Sequence, residues 1–138
     1  MEITVHSVIE NLDDTGLIDG EPEINVTTKE AFVNTVGDTT LIRYTEDSEG
    51  GSIQTKLTVK DGSVHLLRTG AIEWSVLFDE GSRMTTVYKI PPYAFDCEVE
   101  TKRVRIKTDG LLELRLVYSM NIGGGKKNVR MRITLCGN

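Results

Sequence analysis

The chain has 138 residues, 38% hydrophobic and 27% charged, which suffices for one domain with its own core and is too apolar for a disordered chain. Two cysteines are too few for a disulfide framework, and no apolar run is long enough to span a bilayer. Net charge is −5 but lopsided: residues 1–101 hold 7 Lys/Arg against 19 Asp/Glu, a balance of −12, and residues 102–138 hold 9 against 2, a balance of +7.

Taken from the start, Met1-Glu2-Ile3-Thr4-Val5-His6 has no basic region followed by an apolar stretch. That argues against a signal peptide and for a cytoplasmic protein with Cys97 and Cys136 as reduced thiols. Spacing alone leaves a Cys97–Cys136 bridge open. Period-two alternation then dominates, the signature of strands with one dry and one wet face. Expected strands are 2–12, 23–35, 39–46, 52–60, 63–69, 71–78, 83–90, 96–108, 111–122 and 127–136. The stretch 28–33 has some helical character, but a bent strand fits it better. In 52–60, Ile53, Leu57 and Val59 share a face opposite Gln54, Lys56 and Lys60. Pro91-Pro92 cannot sit in a central ladder and marks a corner. The apolar phase of 96–108 slips by one between Thr101 and Val104, which predicts a bulge near Lys102-Arg103. Leu112, Leu114, Leu116, Tyr118, Met120 and Ile122 form the longest apolar row, repeated by Val129, Met131, Ile133 and Leu135.

Between the runs lie turn signals: Gly37-Asp38, Glu49-Gly50-Gly51, Asp61-Gly62, Glu80-Gly81, Asp109-Gly110 and Gly123-Gly124-Gly125. Many short-linked antiparallel strands without covering helices must protect their edges. The expected fold is therefore all-β: one domain over 1–138, an antiparallel meander forming a closed or nearly closed barrel of about 8–10 strands. A two-sheet sandwich is the competing arrangement.

Three segments, Arg68-Thr69-Gly70-Ala71-Ile72, Phe78-Asp79-Glu80-Gly81 and Tyr88-Lys89-Ile90-Pro91, form an R-x-G…F-x-x-G…Y-x-x-P series. With Tyr44-Thr45-Glu46, Gly110-Leu111-Leu112-Glu113-Leu114 and Asn128, the series resembles the YwiB-like family of uncharacterised bacterial proteins over nearly the whole chain. Pro92-Tyr93-Ala94 departs from the Phe-Gly that the family pattern has after the proline. The resemblance implies a calycin-type, lipocalin-like barrel and supplies no activity. The G-x-W signature of true lipocalins is absent near the N-terminus, so lipocalin function does not follow.

No catalytic motif stands out. Gly123-Gly124-Gly125-Lys126-Lys127 lacks the spacing and the following Ser/Thr of a phosphate loop and joins two strands, so it reads as a hairpin tip. His6, His65 and the two cysteines have no metal-ligand spacing, and neither a metal nor a cofactor is expected. Two places merit attention. Arg68 shares a face with Val64 and Leu66, so with Leu66 inside it points toward the interior, where it either anchors an anionic group beside Trp74, Tyr88 and Tyr118 or, with those rings as plain core, snorkels to the rim or pairs with a residue such as Glu46. Arg105, Arg115, Arg130 and Arg132 should face outward on neighbouring strands, forming an anion-binding patch unless acids such as Glu2, Glu10, Glu98 and Glu100 neutralise them. Residues 102–138 contain no Phe or Trp for base stacking, which disfavours nucleic acid. The expected function is a non-enzymatic barrel binding a small anionic or partly apolar ligand. The alternative is a module docking an anionic macromolecule through the basic C-terminal strands. No membrane association is expected.

Overall fold

A computed structural model describes residues 1–137, and within them the alternating pattern forms eleven strands and no helix. In chain order these are β1 (Glu2–Leu12), β2 (Glu23–Glu30), β3 (Phe32–Val36), β4 (Thr39–Ser48), β5 (Gly51–Lys60), β6 (Ser63–Gly70), β7 (Trp74–Phe78), β8 (Arg83–Ile90), β9 (Tyr93–Lys107), β10 (Glu113–Ile122) and β11 (Gly125–Cys136). All pairings are antiparallel. They build a six-stranded sheet in the order β2-β1-β11-β10-β9-β8 and a five-stranded sheet in the order β3-β4-β5-β6-β7.

The backbone ladder is thus divided between two sheets and does not run round as one closed ring. The reason lies at the two corners. The strand expected over 23–35 bends at the buried Ala31, leaves the first sheet as β2 and enters the second as β3. The Ala31 amide is taken up by the Met1 carbonyl at 2.7 Å, outside either ladder. At the opposite corner no backbone ladder joins β7 to β8: the main-chain link is an isolated bridge just before β7, where Glu73 and Lys89 exchange two bonds of 2.9 Å. The expected strand 71–78 accordingly begins only at Trp74.

Each sheet turns its apolar rows toward the other. Ile3, Leu114, Leu116 and Ile133 from the larger sheet join Ile42, Leu57, Val76 and Phe78 from the smaller in one buried cluster. At about 1.5–3 kcal/mol per fully buried side chain, this shared interior is the main force holding the sheets together.

The predicted bulge is present. Val117 pairs with Arg103 and Tyr118 with Thr101, so Lys102 is the extra residue. That insertion lets Thr101 and Val104 both point inward while Arg103 and Arg105 stay exposed. Pro91-Pro92 forms the turn between β8 and β9. The glycine-lysine stretch is a hairpin tip, Gly123 and Gly124 taking φ of 56° and 85° in the two-residue turn before β11.

Candidate functional site

Two transverse rows of side chains, one inside and one outside, carry most of the chemistry. The inner row crosses the smaller sheet. Tyr44 pairs with Thr55, Thr55 with Arg68, and Arg68 with Trp74. Strand alternation sets this row beside the apolar row of Ile42, Leu57, Leu66 and Val76, so the charged pair of the smaller sheet's inner face, Glu46 and Arg68, lies toward one end of it.

Arg68 therefore points inward, as its phase with Val64 and Leu66 requires. It is only partly enclosed, with 25% of its side chain exposed. Its Nη2 donates to Glu46 Oε2 at 2.8 Å, and the Thr55 hydroxyl donates to the same oxygen at 3.3 Å. The pairing with Glu46 is thus realised. It leaves two enclosed donors without an acceptor, Arg68 Nε and the Trp74 indole Nε1. These are the N–H groups of directly opposed residues, and each unmade bond costs about 1–3 kcal/mol.

Trp74 and Tyr88 meet across the β7–β8 corner with ring centroids 5.4 Å apart, and Phe78 lies 4.6 Å from Tyr118. Burial pushes the Tyr118 phenol well above its ordinary pKa. Tyr44 is raised in the same direction, by burial first and then by the Glu46 carboxylate. Both phenols are neutral hydrogen-bonding groups at physiological pH. Of the residues singled out from the sequence, Trp74 and Tyr118 are core, Tyr88 is half-buried, and Arg68 and Trp74 are brought side by side.

The outer row crosses the larger sheet. Arg105 pairs with Arg115, Arg115 with Arg132, and Arg132 with His6. The adjacent row runs Arg103, Val117, Arg130, Val8. All four expected outward arginines are exposed, and with Arg103 and Lys107 they line a shallow cleft of about 470 Å³. Two have carboxylate partners: Arg105 binds Glu80 at 2.6 Å and Arg115 binds Glu113 at 3.2 Å. Glu80 is held below the usual carboxylate range by the Val104 amide and Arg105. Among the described residues Arg103, Arg130 and Arg132 form no ion pair. Glu98 and Glu100 lie instead in a neighbouring cleft of about 570 Å³ on the same sheet, where Glu100 holds Arg83 at 2.8 Å. Glu10 faces Asn128 and Glu2 faces Cys136, so neither opposes an arginine.

Thr55 was not picked out from the sequence, Tyr44 entered only through the family pattern, and His6 only as a histidine without metal-ligand spacing. Alternation gives each its face, but only strand register places it in a row. Both cysteines are free, Cys97 buried and Cys136 exposed. No group of three His, Cys, Asp or Glu side chains converges among the described residues, and no helix there is long and apolar enough to cross a membrane.

Fold and rows together define an all-β domain of two facing antiparallel sheets with a polar end to its interior. Residues 3–135 match the family model described as Domain of unknown function (DUF1934), and the chain belongs to that family. Its fold is similar to the crystal structure of the ywiB protein from Bacillus subtilis, with a TM-score of 0.77 and 21% sequence identity over 99% of this chain and 92% of that one. The YwiB-like resemblance of the sequence is thereby confirmed. No curated protein matches the chain.

Proposed function

We propose that the protein is a non-enzymatic binding module whose two sheets work together as an open, calycin-like barrel. Its ligand is small and partly apolar and carries an oxyanion, held at the polar end of the interior. The observation that carries this proposal is the pair of enclosed donors, Arg68 Nε and Trp74 Nε1, on opposed residues with no acceptor. A carboxylate or phosphate group that reached both would complete the two bonds, and bonds to a guanidinium are among the stronger ones. The ligand's apolar part then lies against the Trp74 and Tyr88 rings, in keeping with sites that are mainly apolar with a few placed polar groups.

Trp74 is the only tryptophan in the chain, so its indole N–H resonance and its fluorescence report this point alone. Titration with hexanoate, benzoate and inorganic phosphate should shift the indole resonance saturably for at least one of them. Arg68→Lys keeps the charge but removes Nε, and should abolish that shift while the protein stays folded. An indole signal indifferent to all three probes refutes the proposal.

A further inference from the structure

The outer row poses a separate question, independent of the interior ligand. Directly opposed like charges destabilise a sheet, yet Arg105, Arg115 and Arg132 stand in consecutive register with His6 next in line. No carboxylate is interleaved in this row or in the one containing Arg103 and Arg130. The two acids that do engage the arginines come from the margin, Glu80 from the loop between β7 and β8 and Glu113 from the first position of β10. With strands about 4.8 Å apart, the row from Arg105 to His6 spans roughly 15 Å.

Toward β2 the same two rows turn apolar. His6 pairs with Val26 and Val8 with Ile24, and Val26 and Ile24 are 61% and 62% exposed. Within these two rows the face is thus cationic over β9, β10 and β11 and, past His6, aliphatic at Val8, Ile24 and Val26. It presents no Phe, Tyr or Trp in these rows, and His6 is the one ring among them. A nucleic acid strand would find a single imidazole and guanidinium planes in place of the large aromatic platforms that bind single strands, and would leave the aliphatic margin uncovered. It would also run beyond the patch onto a chain whose residues 1–101 carry a balance of −12. An anionic partner that suits this face is short, acidic along one side and aliphatic along the other.

We infer that the outer face of the six-stranded sheet docks an acidic, partly aliphatic segment of another protein, with its carboxylates over Arg103, Arg105, Arg115, Arg130 and Arg132 and its apolar side chains over Val8, Ile24 and Val26. Arginine suits the task, since its planar fork takes a carboxylate through two bonds.

The test uses a labelled short peptide alternating Glu and Leu, a poly-Glu peptide of equal length, and a single-stranded RNA oligomer, with binding followed by fluorescence anisotropy at low and high salt. The Glu/Leu peptide should bind tightest, more weakly as salt rises. Arg115→Thr with Arg132→Thr should weaken it by about tenfold or more. Lys56→Thr with Lys60→Thr, which removes the same charge from the outer side of the other sheet, should leave it unchanged. Ile24→Thr with Val26→Thr should lower affinity for the Glu/Leu peptide and not for poly-Glu. The melting temperature supplies a readout without ligand: Arg115→Thr should raise it, because a repulsive row is relieved. The inference is overturned if RNA binds tighter than either peptide, if no peptide binds at low salt, if both charge-removing pairs act alike, or if Arg115→Thr lowers the melting temperature.

Discussion

Arg68 and Arg115 occupy comparable positions, each in a row of four residues running straight across a sheet, and their surroundings are opposite. Arg68 is turned inward, where a lone charge is expensive, and Glu46 and Thr55 are arranged beside it. Arg115 is turned outward between two more arginines, where water screens each charge and crowding costs little. The inner row shows what the fold requires of a charge. The outer row shows what the fold merely tolerates, and tolerated features are where a binding role is sought.

The contrast is sharpest between consecutive residues of β10. Leu116 is 1% exposed and its loss opens the core, so Leu116→Ala should cost about 2–5 kcal/mol in urea unfolding. Arg115→Thr, one position away on the other face, should stabilise by a few tenths of a kcal/mol. Two changes of the same sign would erase the distinction between the faces.

Gly70 follows the inner row and its φ is 108°. An added Cβ would also run into the backbone carbonyl oxygen of Ser52. Gly70→Ala should therefore cost roughly 2–4 kcal/mol, combining backbone strain with a clash against main chain. Arg68→Met leaves Glu46 facing an emptied position. Because the pair is partly exposed, the expected loss is about 1–3 kcal/mol, largely recovered in Arg68→Met with Glu46→Leu. A double variant no better than the single one would show that Arg68 is held by something other than Glu46.

The smallest effects concern titration. Burial pushes the Cys97 thiol up to about 11. Between the ordinary thiol range and that value, the unfolded chain loses a proton that the native one keeps, so stability should decline as pH rises above about 9. At pH 8 iodoacetamide should modify the exposed Cys136 first, with Cys97 reacting only on unfolding. Glu80 works in the other direction. Its lowered carboxyl contributes fully above the ordinary carboxylate range and loses its contribution as pH falls through the lowered value. Glu80→Gln should flatten the acid limb of the stability curve.

Alternation alone made the strands readable, and with them the face of Arg68 and of the four outer arginines, because a period of two is a local property. The bulge was readable for the same reason, as a phase slip between Thr101 and Val104. What depends on pairing was not. The division into two sheets turns on the bend at Ala31 and on the lone bridge between Glu73 and Lys89, and His6 meets Arg132 only through the register of β1 on β11. Only pairing sets Tyr44 and Thr55 in one row with Arg68.

That β1 lies between β2 and β11 has a bearing on how the chain assembles. The five-stranded sheet is a run of consecutive hairpins, each closing a short loop, and such local order forms quickly. The larger sheet needs β11 beside β1, a junction where Lys127 reaches Asn11 across 116 positions of sequence. During synthesis β1 must wait with one side unfilled until β11 has left the ribosome. The half of the molecule bearing the arginines is thus the last to be completed, and the interval before it is when misassembly is most to be expected.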